Sequence, residues 1–202
     1  MEAHSAYMGV VRKFLMTREQ EIKQLKSDLF TADEWDKRKA SSSRLFEIGG
    51  QENIDYLIGL LDQENSLVRN VVAMTFMDNK FNDALEPLLI SINKAEYVNS
   101  RGSLVYALNA LDCSQKLREL FDILFAATKN WEVQSGILTV LEEQEFEFSV
   151  DDLQYIKQKW DGLKSNWNQL NGVDKNNLRK YEIDEDLVQN FVDGYMAYLE
   201  KS

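Results

Sequence analysis

The chain has 202 residues, of which 34 are acidic and 23 are basic, so its formal net charge at pH 7 is -11. One cysteine and one histidine exclude a disulfide framework, a thiolate zinc site and most histidine-dependent catalysis. Nine glycines and a single proline leave few tight turns, which favours an all-α protein over a many-stranded sheet. We predict no metal or organic cofactor.

Residues 1–32 are predicted to form an N-terminal helical cap. Helical spacing places five apolar side chains on one face, and residues 19–29 would continue that helix. The five are Tyr7, Val10, Val11, Phe14 and Leu15. The first residues lack a basic-then-apolar leader, and no apolar run is long enough to cross a bilayer. We therefore expect a cytoplasmic protein without membrane association.

Residues 33–165 carry an internal repeat of two helices. Apolar sets with offsets of 31 and 32 residues begin at Ile54, Leu85 and Leu117. The sets are Ile54, Leu57, Ile58, Leu61; Leu85, Leu88, Leu89, Ile92; and Leu117, Leu120, Phe121, Leu124. A second family has offsets of 32 and 33 residues: Val72, Ala73, Phe76; Leu104, Val105, Leu108; and Ile137, Leu138, Leu141. Two apolar helices per period predict a hairpin that buries its stripes by stacking on its neighbours.

Local signals predict several helix ends. Three pairs have the spacing of a capping box: Thr31 with Glu34, Asp83 with Glu86, and Ser149 with Asp152. Gly49 and Gly50 suit a helix stop. With Asp83 as the N-cap, Pro87 would be the fourth helical residue, where a main-chain N–H has no intrahelical partner.

The stretch from Trp35 to Arg69 resembles consecutive HEAT-type repeats. It has a leucine-rich first helix, a glycine-containing turn, and an Asp and a Val-Arg pair opening the second helix. Residues 84–89, Ala-Leu-Glu-Pro-Leu-Leu, resemble a HEAT first helix with its usual proline. The resemblance covers about residues 33–165 and implies an α-solenoid of about four HEAT-like hairpins with N- and C-terminal helical caps.

Residues 166–202 are predicted to form a C-terminal connector and capping helix. The connector spans residues 166–177 and is polar, and the helix spans residues 184–199. Its apolar side carries Leu187, Phe191, Tyr195 and Tyr198.

The resemblance also implies that the second helices line a concave surface, where equivalent outward positions form rows. One predicted row contains Ser43, Met74, Tyr106 and Thr139. The next contains Phe46, Met77, Asn109 and Glu142. Exposed methionine, tyrosine and phenylalanine suit an adaptable contact surface, although Phe46, Met74 and Met77 also suit the interior. Tyr106 is the best single candidate, because its ring anchors a ligand while its hydroxyl needs a polar partner.

Three arginines, Arg38, Arg69 and Arg101, recur at spacings of 31 and 32 residues. A stack of guanidinium groups would bind an anion or a carboxylate-rich peptide. The HEAT resemblance implies instead a structural ladder that pairs with acids such as Asp36, Asp62 or Glu64. Both interpretations remain open, and Gln134 replaces the arginine in the last repeat.

An acidic run follows the last predicted second helix. Glu142, Glu143, Glu145, Glu147, Asp151 and Asp152 are interleaved with Phe146 and Phe148. Such a run attracts a lysine- or arginine-rich protein surface, or is simply a solvated helix end. Residues 51–165 hold 19 acidic and 10 basic side chains, which disfavours nucleic acid as a partner.

Catalytic signatures are absent from the sequence. Cys113 follows Leu111 and Asp112 at a predicted helix start, where the dipole would lower the pKa of its thiol, but no second histidine is present to activate it. We expect a non-enzymatic, acidic protein-binding solenoid, a monomer or weak homodimer that neutralises or scaffolds a basic protein. Small acidic solenoids of this kind are similar to immunity proteins against bacterial toxins. The alternatives are a HEAT-like enzyme, such as a bilin lyase or a DNA alkyl-base glycosylase relative, and an oligomerisation module.

Overall fold

The computed structural model describes residues 16–127, 130–170 and 185–199. Within these ranges the secondary structure is helical without any strand, which confirms the all-α class. The helices are α1 Arg18–Thr31, α2 Trp35–Ile48, α3 Gln51–Leu60, α4 Ser66–Asp78, α5 Leu85–Ile92, α6 Gly102–Ala107, α7 Leu117–Ala126, α8 Trp131–Glu143, α9 Val150–Leu170 and α10 Glu185–Leu199. Short 3-10 turns lie at Asn82–Ala84, Ala95–Tyr97 and Leu108–Ala110. The predicted apolar face from Tyr7 to Leu15 lies outside the described residues.

The chain divides into two compact units, residues 1–75 and 76–202. In the first unit α2 packs on α1 and on α3. In the second, α6 packs on α5 and α8, α7 packs on α8 and α9, and α10 packs on α9. No helix in the described ranges combines the length and apolarity of a membrane span.

The repeated apolar sets supply much of the interior. Every member of the sets that begin at Leu85, Leu117, Val72 and Leu104 is buried. Ile54, Ile58 and Leu138 are only half-buried. Since each α-helix presents one stripe to its neighbours, burial of these sets accounts for the helix packing inside each unit.

Two of the three predicted capping boxes are wrong. Thr31 is the last residue of α1, where its hydroxyl donates to the Ser27 carbonyl at 3.0 Å, and the N-cap of α2 is Glu34. Asp83 lies inside a 3-10 turn that leads directly into α5, so it lacks the extended backbone of an N-cap. Pro87 is therefore the third residue of α5, which still needs no intrahelical N–H bond.

The third capping box and the glycine stop are confirmed. The Ser149 hydroxyl accepts a hydrogen bond from the Asp152 N–H at 3.2 Å, and the Asp152 carboxylate accepts one from the Ser149 N–H at 2.6 Å. Gly49 ends α2 with φ of 66°, and Gly50 precedes α3 with φ of 85°, both in the region that favours glycine. The helix before the C-terminal connector is longer than predicted, because α9 continues through Leu170.

Candidate protein-binding surface

An open groove of about 440 Å³ lies between α6 and α8 in the second unit. From α6 and the turn that follows it come Gly102, Ser103, Tyr106 and Asn109; α8 contributes Trp131, Glu132, Ser135, Gly136 and Thr139. Three residues predicted from the rows, Tyr106, Asn109 and Thr139, therefore line one groove. Glu132 is its sole charged lining residue.

Two glycines shape this groove. A Cβ on Gly136 would lie 2.7 Å from Cγ1 of Val105, so the missing side chain allows α8 to approach α6 closely. At Gly102, the carboxylate of Glu132 occupies the space that a Cβ would need. The absence of both side chains thus sets the spacing of the helices and the position of the acidic group.

The groove exposes aromatic surface. Trp131 is 76% exposed and Tyr106 is 55% exposed, more than any other aromatic side chain in the described part of the chain. Asn109 donates from its side chain to the Tyr106 carbonyl at 3.0 Å, while its own Oδ1 is buried and accepts no hydrogen bond there. Large exposed rings that line one groove are typical of a contact surface.

The remaining row residues are divided between the units. Ser43, Phe46 and Met74 belong to the first unit and are half-buried. Met77 belongs to the second unit and is also half-buried, but it does not line the groove. Glu142 lies one turn of α8 beyond Thr139 and is exposed. The contact role of the two methionines and of Phe46 stays a prediction.

Four exposed carboxylates follow the groove along the chain, and we call residues 142–147 the acidic segment. Its acids are Glu142, Glu143, Glu145 and Glu147, and all four are exposed. None of them forms an ion pair with another residue that the structure describes. By contrast, Asp152 pairs with Arg118, so the predicted acidic run divides into free and compensated groups.

Main-chain and side-chain hydrogen bonds hold the acidic segment in place. Gln144 accepts from the Cys113 N–H at 3.0 Å and donates to the carbonyls of Leu108 and Leu111 at 3.2 and 3.0 Å. The Glu147 N–H donates to the Ser114 carbonyl at 2.9 Å. A segment anchored in this way presents its carboxylates with little further loss of conformational entropy on binding.

The three arginines are buried, each with at most 8% of its surface exposed, and each donates to a main-chain carbonyl. Arg38 bonds to Leu29, Arg69 to Gln63 and Glu64, and Arg101 to Ile92 at 3.0 Å. Gln134 does the same to Ala127 at 2.7 Å. Each acceptor lies in the last turn of the preceding helix or just beyond it, where carbonyls lack intrahelical donors. This geometry favours the structural interpretation, because each of these buried side chains donates to a main-chain carbonyl.

Cys113 is buried and lies four residues before α7 rather than at its start. Burial, reinforced by the nearby Asp112 carboxylate, raises the pKa of its thiol to about 12. The thiol is therefore protonated at neutral pH, opposite to the expected effect of a helix dipole.

Sequence reasoning missed the role of Trp131 and Glu132. They are the first two residues of α8, where helical periodicity has barely begun and does not reveal which side faces outward. The position of Trp131 at a helix start beside a repeated apolar set was the available signal.

Comparisons of the chain with protein-family models, with curated proteins and with solved structures found no match. The groove between α6 and α8 and the acidic segment are therefore interpreted from their own chemistry.

Proposed function

We propose that this chain is a non-enzymatic, protein-binding α-solenoid of about four HEAT-like hairpins with helical caps, and that it occludes a basic protein partner. The observation that carries the proposal is that α8 connects the groove to the acidic segment. This helix lines the aromatic groove at its first turns and ends in the acidic segment, with four carboxylates that no described cation compensates.

The recurring buried donor supports the solenoid. Arg38, Arg69 and Gln134 lie in the first turn of a second helix, and Arg101 immediately precedes one. Each bonds to a carbonyl near the end of the helix before it. The same side-chain hydrogen bond recurs four times, as expected of a helical-hairpin repeat, because each hairpin contains a helix end whose carbonyls lack intrahelical donors.

Local electrostatics favour a binding role for the acidic segment. Glu142 and Glu143 occupy the last turn of α8, where the helix dipole disfavours negative charge by about 0.3–1 kcal/mol per group. Cations would be the stabilising choice at this end of the helix. Acids placed against the dipole are explained by attraction to a partner's cations, which accelerates association and fixes orientation.

Occlusion requires contact surface as well as charge. Tyr106 and Trp131 provide exposed rings that bury large apolar areas with few rotatable bonds. A basic toxin held by its cationic surface would be masked in the producing cell, so an immunity protein acting in the cytoplasm is the specific form of the proposal. Binding as a monomer or weak homodimer fits this role.

The test is affinity capture from source-cell lysate with mass spectrometry, using the wild-type chain and a variant with Glu142, Glu143, Glu145 and Glu147 changed to lysine. We expect the wild type to retain a basic protein in stoichiometric amount at low salt and to lose it at high salt, while the variant fails to retain it. The purified pair would then show slower association for the variant, by an amount that shrinks as salt rises.

A second variant controls for net charge. Glu19, Asp33, Glu34 and Glu96 are exposed, and the structure records no ion pair for them, so their change to lysine alters the total charge equally. This control should retain the partner. If both variants lost the partner equally, the effect would be one of net charge alone. If both retained the partner equally, the acidic segment would have no role in binding.

A further inference from the structure

We propose that the groove between α6 and α8 is a slot for one arginine side chain of the partner, an inference that rests on the proposed binding of a basic protein. The slot is defined by Trp131, Tyr106 and Glu132. It lies beside the acidic segment in sequence but uses different residues, so the two can be tested separately.

Charge selects a cation for this slot. None of the nine lining residues is basic, and Glu132 is the single ionised group among them. Its carboxylate lies where a Cβ of Gly102 would be, and the described part of the chain provides it with no ion pair or hydrogen bond. A carboxylate with open acceptor positions in a groove binds a cationic donor with a charge-assisted hydrogen bond.

Ring geometry selects arginine over lysine. Trp131 and Tyr106 are the two most exposed described aromatic residues, and both line the groove that holds Glu132. A planar guanidinium can stack on a ring face while its edge donates two parallel hydrogen bonds to a carboxylate. An ammonium is a compact point charge that cannot do both equally well. The groove also has neutral acceptors, such as the Thr139 hydroxyl, whose hydrogen is already donated to the Ser135 carbonyl.

Neighbouring carboxylates extend this preference along α8. Glu142 lies one helical turn beyond Thr139, on the continuation of the stripe that lines the groove. A partner segment that places one arginine in the slot can therefore bring its next cations to the acidic segment. Glu142 lies ten residues beyond Glu132, which is roughly 15 Å along α8, so such a segment is rich in arginine and has further basic residues about that far from the one in the slot.

The experiment uses fluorine NMR of the full chain labelled with 5-fluorotryptophan at its four tryptophans. The Trp131→Phe variant assigns the Trp131 signal, and hexaarginine and hexalysine peptides serve as probes of equal charge. We expect hexaarginine to shift the Trp131 signal saturably and hexalysine to bind at least about threefold more weakly, because only the guanidinium stacks and bridges at once.

Two charge-matched variants locate the binding. Glu132→Gln should weaken hexaarginine binding roughly tenfold, as expected for losing a charge-assisted hydrogen bond. Glu96→Gln removes the same charge at an exposed position outside the groove and should change the affinity less than about twofold. Circular dichroism checks that both variants remain helical.

The outcomes separate this inference from the proposed function. An unmoved Trp131 signal, or equal affinities for the two variants, overturns the arginine slot. If binding under that result still depends on the carboxylates of the acidic segment, the proposed function survives without the slot. If neither set of carboxylates affects binding of the cationic peptides, both proposals fail.

Discussion

The contact of Gly136 with Val105 determines how closely α8 approaches α6. A methyl group at Gly136 would lie 2.7 Å from Cγ1 of Val105, much closer than ordinary van der Waals contact. Val105 is fully buried and cannot move aside, so the groove depends on the missing side chain. The same pair of helices carries Tyr106 and Trp131, which links this contact to the proposed interface.

Gly136→Ala is therefore expected to destabilise the protein. Alanine favours a helix over glycine by about 1 kcal/mol, but overpacking against Val105 costs about 1–3 kcal/mol and should outweigh that gain. Urea unfolding followed by circular dichroism measures the net change in the free energy of unfolding.

Two further variants test the cause. Val105→Ala should partly rescue Gly136→Ala, so that the double variant is less destabilised than the sum of the single changes. Gly102→Ala should destabilise less than Gly136→Ala, because the atoms nearest to its methyl group belong to the end of the exposed Glu132 side chain, which can move aside. A Gly136→Ala protein as stable as the wild type would show that the helices separate freely.

Gln134→Leu removes one of two donors to the Ala127 carbonyl, which also accepts a hydrogen bond from the Asn130 N–H at 2.9 Å. The amide and the carbonyl are 2.7 Å apart and buried, and leucine has nearly the same size without a polar group. The carbonyl keeps the Asn130 N–H as a donor, so only one hydrogen bond is lost, and we expect the free energy of unfolding to fall by about 0.5–1.5 kcal/mol in urea unfolding. Ser135→Ala, at the exposed neighbouring position, is the control, and it should alter stability by less than about 0.5 kcal/mol.

The partners of these donors illustrate what the sequence can predict. The recurrence of Arg38, Arg69 and Arg101 identifies a repeated structural position from spacing alone. Spacing does not reveal the acceptor, because every residue has a carbonyl and only the path of the chain brings a particular one near. Helix-end carbonyls lack intrahelical donors, so they are available acceptors for a buried side chain that the fold brings near.

Similar limits apply to helix starts and to the groove. Thr31 has the right spacing from Glu34, yet its hydroxyl bonds backward to Ser27, so local competition within α1 decided its role. The exposure of Tyr106 was correctly predicted by excluding the apolar positions of its helix, because the apolar stripe repeats across several helices. Trp131 lies at a helix start, before periodicity constrains its direction, and only the packing of α8 on α6 places it in the groove.

The capping box at the start of α9 predicts a pH-dependent contribution to stability. Hydrogen bonds from Ser149, together with Arg118, hold the pKa of Asp152 below its ordinary value. Because the folded pKa is the lower one, this contribution is present above the unfolded pKa of about 4 and is lost as the pH falls through the folded value. Ser149→Ala should cost about 0.5–2 kcal/mol at pH 7 and raise the pKa of Asp152.

Urea unfolding between pH 7 and pH 3, with carbon NMR titration of the Asp152 carboxyl group, measures both effects. The difference in stability between Ser149→Ala and wild type should narrow toward low pH, where the wild type also loses the ionised carboxylate. Thr139→Ala serves as the control, since its hydroxyl bonds only locally, to the Ser135 carbonyl. A difference in stability between the two proteins that stays constant down to pH 3 would contradict the hydrogen bond from Ser149 to the Asp152 carboxylate.

Charge reversal at the end of α8 is expected to separate stability from binding. Glu143→Lys replaces an exposed acid in the last helical turn by a cation that suits the dipole, so it should raise the free energy of unfolding by about 0.3–1 kcal/mol. The same change should slow association with the basic partner, because the partner's cations then meet a like charge. Urea unfolding and stopped-flow association at low salt measure the two effects on one variant, with Glu143→Gln as the neutral intermediate. A stabilised protein that binds more slowly would show that these acids are retained for recognition at a cost in stability. An unchanged association rate would show that they have no role in recognition.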